Sequence, residues 1–507
     1  MTNAQPAQSQ RDVRIGKLDR LREAGFNPYH DRYDITHVLA DLGALPDGTK
    51  VKVAGRLVLH RVGGGITFST LADRSGRVQI SFQKKDLPED TITLIKKVLD
   101  IGDIIGVDGE MWTTNKGERT VNVLSVLPLS KALRPLPEKW AGLRDQEARY
   151  RQRYLDLISN QETKQRFVLR SRIVSFIRRY LDDHGFLEVE TPILQAASSG
   201  AAARPFVTHH NALDRDLFLR ISPETYLKRL IVGDFDRVYE IGKNFRNEGI
   251  DPSHLQEFTM LEWYAAYWNY RDNMTFVREL IQAILSEFMG GQTLTYQGVE
   301  LNFAGEWPEI DYAEAIRKGT GIDINELDTR EKLAPAIKAH YADIHLDDFK
   351  SYPAMVDGLY KHVIRPNLIQ PSFLLHHPTE MVPLARRSDS NPRVLDMFQV
   401  LVNSWEIVKA YSELIDPIDQ RARMMEQQEY AAAGDDETMM MEEDYILCME
   451  HGMPPNSGLG LGIDRFVALL TDQESLRDVV FFPAMRNASG GEGDGTDGGE
   501  SVEPAGE

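Results

Sequence analysis

The stretch Arg237-Val-Tyr-Glu-Ile-Gly-Lys-Asn-Phe-Arg246-Asn-Glu248, resumed at His254-Leu-Gln-Glu-Phe258-Thr-Met-Leu-Glu262-Trp-Tyr264, constrains this chain more than any other part of it. It reads as two strands joined by a polar loop, with an Arg–Glu pair at the turn and an acidic, aromatic return strand. A second segment, Gly458-Leu-Gly-Leu-Gly462-Ile-Asp-Arg465, reads as a strand with glycine at alternate positions that runs into a helix. Missing side chains along one face of a strand let a ligand approach the backbone. These glycines do not make a dinucleotide loop. Gly-x-Gly-x-Gly lacks the last spacing of that fingerprint, and no second βαβ unit with an acidic ribose reader follows.

At 507 residues the chain can hold two or three domains. No apolar run approaches the roughly 20 residues of a membrane span. The start, Met1 to Gln10, has no apolar core and excludes a secretory signal. Cys448 is the only cysteine, which excludes an internal disulfide and a cysteine-based metal site. These features point to the cytoplasm. The net charge of −19 hides an asymmetry: residues 1–179 hold 31 Lys+Arg against 21 Asp+Glu, and residues 180–507 hold 27 against 56. A basic N-terminal part is a pointer to a polyanionic partner, and a solvated basic face gives the same count.

Residues 1–45 read as a helical leader, with Leu18, Leu21 and Phe26 on one face and Gly25-Phe-Asn-Pro28 as its stop. From 46 to 135 the period changes to two. Five short strands are expected at Lys50–His60, Gly65–Ala72, Gly76–Phe82, Asp103–Trp112 and Glu118–Leu127, with a helix near Leu87–Leu99 before the fourth. That is the order of an OB-fold, a small barrel that often binds oligonucleotides. Residues 136–160, with the basic run Lys139–Arg153, read as a linker to a larger domain at 161–486. There Glu162–His184 carries Phe167, Val174, Ile177 and Leu181 on one stripe of an amphipathic helix. Residues 487–507 contain seven Gly, six acidic residues and no basic one, the composition of a disordered tail.

Ser222-Pro223-Glu224-Thr225 opens a helix, with serine as cap, and a well-made helix start accounts for these residues by itself. An exposed hairpin ion pair likewise accounts for Arg246 and Glu248 taken alone. If Asn403-Ser404 is a two-residue turn, Val402 pairs with Trp405 and Gln399 lies diagonal to Glu406 on one face. Strict alternation then puts Lys409, Tyr411 and Glu413 on the opposite face, and a bulge near Ile407–Val408 would bring both sets to one pocket.

The two segments of the opening resemble motifs 2 and 3 of class II aminoacyl-tRNA synthetases. Gly200-Ala-Ala-Ala-Arg-Pro-Phe206 and Thr208-His-His-Asn-Ala-Leu213 resemble the lysyl branch of subclass IIb. Gly185-Phe-Leu-Glu-Val-Glu-Thr-Pro192 after its helix resembles motif 1, the dimer-forming element. The words that mark class I enzymes and the Walker lysine loop are missing from the sequence. The resemblance covers roughly residues 15–486. It implies an α+β protein, with an N-terminal OB-fold β-barrel that binds the anticodon and a class II catalytic domain built on an antiparallel sheet flanked by helices. It also implies a homodimer that joins L-lysine to the 3′ end of tRNA(Lys) through a lysyl-adenylate, with ATP as substrate and Mg²⁺ as cofactor.

Residue by residue, the resemblance implies that Gly200 and Glu224 hold the α-ammonium of the amino acid. Arg246 would hold its carboxylate and the α-phosphate. Glu248 and His254 would sit near the adenine or the triphosphate, and Phe258 would stack on the adenine. Tyr264 and Glu413, with Glu262 behind, would take the ε-ammonium, and Tyr411 belongs to the same pocket. Gly460 belongs to the ATP site, and Arg465 would meet the γ-phosphate, so that Arg246 and Arg465 are the catalytic pair. Gln399 and Glu406 occupy the two metal-ligand positions. Glutamine at 399 departs from the acidic residue usual there and brings no charge. Lys409 departs from the usual asparagine. It either serves the substrate carboxylate or lies over Glu413 and competes with substrate. In the barrel, Arg56, Phe68, Gln79 and Glu118 match anticodon-contacting positions, although Phe68 also fits a core strand residue. Two other readings fit parts of the pattern: a relative with altered amino-acid or acceptor choice, and a non-catalytic nucleotide- or RNA-binding paralogue.

Overall fold

The computed structural model describes residues 9–137, 143, 145–249, 251–432 and 438–486, the side chain of Asp348 aside. The expected tail at 487–507 and part of the expected linker lie outside the described residues. The chain divides into two compact units, Met1–Arg144 and Asp145–Glu507.

In the first unit, strands β1 (Lys50–Arg61), β2 (Ile66–Ala72), β3 (Arg77–Gln83), β4 (Ile104–Thr113) and β5 (Arg119–Ser130) close on themselves in the order β1-β2-β3-β5-β4. The helix Glu89–Lys97 precedes the fourth strand, so the OB order is present. Alternation explains the closure: Val51, Val53, Leu57, Leu71, Ile80, Ile105, Val107 and Val121 are all buried in one core, while their neighbours point outward. The leading helix runs Gln10–Glu23 with Leu18 and Leu21 buried, and Gly25, at φ 81°, turns the chain after it.

The second unit is built on an eight-stranded sheet. Its strands are β6 (Leu187–Glu188), β7 (Arg237–Phe245), β8 (Glu257–Ala266), β9 (Glu309–Asp311), β10 (Ser372–Leu375), β11 (Met397–Val402), β12 (Trp405–Ser412) and β13 (Asn456–Gly462). They lie in the order β9-β10-β11-β12-β13-β8-β7-β6, antiparallel from β10 to β7 and parallel at each edge pair. Such a sheet keeps one face open to solvent while the other is covered. Here the covered face packs Trp263, Val408, Ala410, Leu459 and Leu461 against the helices Gln161–Asp183, Tyr270–Met289 and Ile463–Leu470.

Three local expectations change. Residues 146–159, expected within the linker, form two short helices belonging to the second unit. Arg153 is fully buried there against Asp156 and the carbonyls of Arg477 and Phe481. The buried stripe of the helix Gln161–Asp183 runs through Ile173 rather than Val174, which is only partly buried. Ser222 does not stand at the N-cap of its helix. Pro223 does, and the Ser222 hydroxyl instead accepts from the Glu224 amide and donates to Glu262 Oε1 at 2.9 Å.

Candidate active site

The glycine strand β13 lies between β8 and β12, and its register explains the site. Gly458 is flanked by Tyr264 and Tyr411, Gly460 by Glu262 and Lys409, and Gly462 by Met260. Residues paired across antiparallel strands share a face, so the glycines make the floor of a trough with side chains rising on both sides. Leu459 and Leu461 point the other way into the core. The trough opens into a cavity of about 280 Å³ that holds Gly200, Glu224, Arg246, Glu248, His254, Phe258, Glu262, Tyr264, Glu406, Lys409, Tyr411, Gly460 and Arg465. The two catalytic candidates, the ATP candidates and all but one of the amino-acid candidates therefore come together.

The turn Asn403-Ser404 has both residues at positive φ and pairs Val402 with Trp405. Val400 pairs with Val408 and Leu401 with Glu406, so Ile407 is the extra residue. This is the bulge that the sequence required, and it turns Glu406 and Lys409 to the same cavity.

One end of the cavity is acidic and dry. Glu224, Glu262 and Glu413 are each at least 94% buried, and Lys228 is fully buried among them. Tyr411 Oη donates to Glu224 Oε1 at 2.6 Å, and Tyr264 Oη donates to Glu262 Oε2 at 3.3 Å. Gly200 stands at φ 85°. A Cβ there would meet Glu224 Cβ and Ser222 Oγ at 3.1 Å, so glycine keeps the wall beside Glu224 open. Burial, with Lys228 opposing and Glu224 adding, raises the Glu413 carboxyl well above its ordinary range. The Tyr264 and Tyr411 hydroxyls also rise through burial, then through Glu224.

Glu413 is the exception among the amino-acid candidates. It does not line the cavity but stands behind its wall, ion-paired through Oε2 to Lys228 and with Oε1 against Gly458. Lys409 is not its partner, which counts against the reading in which Lys409 lies over Glu413 and competes with substrate. The sequence reading missed Lys228. Its one local signal is the Glu224–Lys228 spacing of four on a helix, ordinarily a mark of an exposed pair.

Glu262 is pushed up to about 8, first by burial and then by Glu224. Between its ordinary pKa of 4.5 and about 8, the folded site holds a proton that the unfolded chain has lost. That contribution to stability is full at low pH and declines as pH rises through this window. A cationic ligand beside Glu262 favours its ionised form, so binding expels the proton below pH 8. Binding of a cationic amino acid at pH 7 is therefore expected to release up to one proton and to tighten with rising pH. Calorimetry in two buffers of different ionisation enthalpy measures this, and zero release would refute the assignment.

The other end is cationic. The Arg246 backbone N–H donates to the Gln256 carbonyl at 2.8 Å, and its guanidinium lies 5.0 Å from the Phe258 ring centre. Burial lowers the guanidinium pKa, Glu248 opposing this and Arg465 adding to it. Among the described residues no carboxylate reaches Arg246 as an ion pair, and its Nε has no partner. A half-buried guanidinium with no carboxylate paired to it is a receptor for an anion. Arg465 donates to the Glu406 carbonyl at 3.0 Å and meets His254 Nε2 at 3.2 Å, while His254 Nδ1 faces Asp251 at 2.8 Å.

Gln399 Nε2 donates to Glu406 Oε2 at 2.7 Å. Glu406 lines the cavity and keeps one carboxylate oxygen for a metal, whereas Gln399 stands outside the lining, with His377 also beside its amide. A carboxylate donor fits a magnesium ion that takes its remaining ligands from water and phosphate. Among the described residues there is no group of three acidic, histidine or cysteine side chains that could hold one alone.

On the barrel, Phe68 is half-buried between the buried Thr67 and Ser69, so it faces outward and is not a core residue. Gln79 lies opposite Thr70 on the same face and donates to Thr120 Oγ1 at 2.9 Å. Arg56 lies opposite Ala72 and donates to the Gly102 carbonyl, and Glu118 is exposed just before β5. Arg56, Phe68 and Gln79 therefore share the outward face of β1–β3, and Glu118 stands at the start of the neighbouring β5.

Residues 145–486 match the family model of class II tRNA synthetases (D, K and N), and residues 51–129 match that of the OB-fold nucleic acid binding domain. A lysine–tRNA ligase of Pelotomaculum thermopropionicum is 48% identical over 477 residues, covering 94% of each chain. One of Carboxydothermus hydrogenoformans is 47% identical over 478 residues, covering 94% of this chain and 97% of its own. One of a Synechococcus species is 45% identical over 485 residues, covering 94% and 99%. With the motif 2 hairpin, the glycine trough and these matches together, the chain belongs to the class II tRNA synthetases of the D, K and N group.

Proposed function

We infer that the protein activates L-lysine with ATP and transfers it to the 3′ end of tRNA(Lys), the activity of a lysine–tRNA ligase. Three carboxylates, Glu224, Glu262 and Glu413, are buried close together with one buried cation, Lys228, which pairs with Glu224 and Glu413, and this observation carries the amino-acid choice. Arg220 does not alter the balance, because it is paired with Glu240. With all three ionised, as a cationic ligand favours, the set is two negative charges in excess, and lysine supplies two ammonium groups. A neutral or acidic side chain would leave buried carboxylates unpaired, which costs far more than a missing methylene.

Glu224, beside Gly200, takes the α-ammonium. The ε-ammonium lies between Tyr264 and Tyr411, with Glu413 and Glu262 as its counter-charges. The carboxylate turns to Arg246, with Lys409 across the trough. It is already ionised at neutral pH and needs no base. It attacks the α-phosphate in line, a new carboxylate–phosphate bond forms, and the bond to pyrophosphate breaks. Arg246 positions both anions, Phe258 stacks on the adenine, Glu248 and His254 border the nucleotide, and Arg465 meets the γ-phosphate. The catalysis is positioning and charge stabilisation in a preformed site. In the second step the ribose hydroxyl of the terminal adenosine attacks the activated carbonyl and AMP leaves. Glu406 and Gln399 would hold Mg²⁺, which supplies neutralisation of the phosphate charge. Because an amide oxygen brings no charge, Gln399→Glu is expected to lower the magnesium concentration for half-maximal exchange several-fold, and an unchanged magnesium titration would retire that role.

On the barrel, Phe68 offers a stacking surface for a single-stranded base, a contact of about 1–3 kcal/mol. Phe68→Ala is therefore expected to lower kcat/KM for tRNA charging about 5- to 100-fold while leaving pyrophosphate exchange unchanged. Equal loss in both assays would place Phe68 outside tRNA recognition. Leu187, Ile193, Leu194 and Val207, around the motif 1 segment, are exposed apolar side chains, and they support a homodimer. Sedimentation at the mass of one chain would sink that assignment. No described helix is long and apolar enough to cross a membrane, in keeping with a place in the cytoplasm.

ATP–pyrophosphate exchange with each of the twenty amino acids, without tRNA, tests the activation step and the amino-acid choice. Exchange supported by lysine and not by the other nineteen is expected. Exchange with another amino acid, or silence with all twenty, would overturn it.

A further inference from the structure

A fully buried lysine stands behind a pocket whose proposed ligand is itself a cation. Lys228 Nζ donates to Glu224 Oε1 at 2.6 Å and forms a second ion pair with Glu413 Oε2. Glu224 is on its own helix, Glu224–Val232, whereas Glu413 follows β12. The rings of Tyr411 and Tyr264 lie 5.6 and 5.9 Å from Nζ. Tyr445, on the helix Glu443–Glu450, completes the surroundings, and Glu442 just before that helix is already held by Arg229 and Ser199. Burial alone would lower the lysine pKa. Glu224 and then Glu413 overcome it and hold the group well above its ordinary value, so Lys228 is charged.

Burying an ammonium costs several kcal/mol, and an apolar side chain of the same length would fill the space without that cost. What an apolar side chain could not do is hold two carboxylates from distant parts of the chain in one place. Each partner spends an oxygen on Lys228 and has another turned elsewhere. Glu224 lines the cavity, and Glu413 Oε1 lies against Gly458 at the trough floor.

We propose that Lys228 is a positioning residue that ties Glu224, on the pocket wall, to Glu413 directly behind it. By pairing with Glu224 and Glu413 at once, it fixes their separation and offsets their mutual repulsion, so that the pocket accepts a diamino acid of one length. The inference rests on the lysine reading above. Without Lys228 the two carboxylates would repel each other and one would take up a proton, which costs the pocket an ammonium site. Ornithine, one methylene shorter, would then be rejected less strictly.

The test is pyrophosphate exchange by the full chain. The unaltered protein is assayed first: failure of lysine to support exchange would overturn the proposed activity and this inference with it. Given lysine-dependent exchange, Lys228→Met is expected to raise the lysine KM at least 100-fold while the ATP KM stays within threefold. The lysine-to-ornithine ratio of kcat/KM should fall at least tenfold, and Lys228→Arg should recover at least tenfold of the lysine KM. A lysine KM within threefold of the parent, or equal rises in both KM values with an unmoved ornithine ratio, would overturn the role of Lys228 and leave the activity standing. If Lys228→Met does not fold, the charge-matched pair Lys228→Met with Glu413→Gln decides, its folding checked by thermal unfolding. Retention of the parent's ornithine discrimination in that pair would overturn the proposal.

Discussion

Arg246→Ala is expected to slow pyrophosphate exchange about 10³-fold, equivalent to about 4 kcal/mol of transition-state stabilisation. Loss of one preformed donor at a site of developing charge costs about 10²–10³ in rate, and a guanidinium serving two anions stands at the upper end of that range. The local structure says why no neighbour can substitute. Arg246 is fixed to the Gln256 carbonyl by its backbone and stacks on Phe258, and no described carboxylate neutralises it. Arg465 is directed elsewhere, to the Glu406 carbonyl and to His254. The loss should fall on kcat, with the lysine KM rising as well and the fold unchanged, because the side chain satisfies no structural ion pair. Steady-state exchange with both substrates varied measures this. A variant within threefold of the parent would refute the placement of the reacting groups.

A single methyl group should do comparable damage at Gly458. A Cβ built there would lie 2.1 Å from Tyr264 Cε1 and 2.6 Å from Glu413 Oε1. Neither neighbour can retreat freely, since Tyr264 is 97% buried and Glu413 is held by Lys228. In Gly458→Ala the Tyr264 ring must therefore turn into the trough, where the ε-ammonium would sit. The expected result is a lysine KM raised on the order of 10²-fold or more, since a 1 Å misplacement in a positioned site can cost 10²-fold. ATP binding should be far less affected, because Phe258, Arg246 and Arg465 lie away from Gly458 along the trough. Equilibrium binding of each ligand alone separates the two. Equal weakening of both would mean that the substitution had disturbed the sheet and not the subsite.

Much of this was legible before any coordinates. The β7–β8 hairpin carries Arg246, Glu248, Phe258, Glu262 and Tyr264 within one contiguous run, and a strand period of two fixes which of them share a face. Alternating Gly and Leu from 458 to 462 announce an open face and a core face on one strand, and both are found. Even the bulge at Ile407 followed from requiring Glu406 and Lys409 to meet. The sequence was less informative where a short pattern fits several structures. Ser222 looks like a helix cap and is instead a bridge to Glu262. The run before 161 looks like a linker, and yet Arg153 is buried through contacts with a segment 324 residues further along the chain.

The family, the two-part organisation and the roster of residues along the trough follow from the linear chain, because each motif is contiguous and its chemistry depends on local spacing. Tertiary structure alone decided which charges are buried together. Four residues after a glutamate on a helix, Lys228 looks like half of a solvated pair. It becomes the counter-cation of the pocket because the sheet brings Glu413 against it out of water. Desolvation depends on what surrounds a group in space, and no local spacing encodes that.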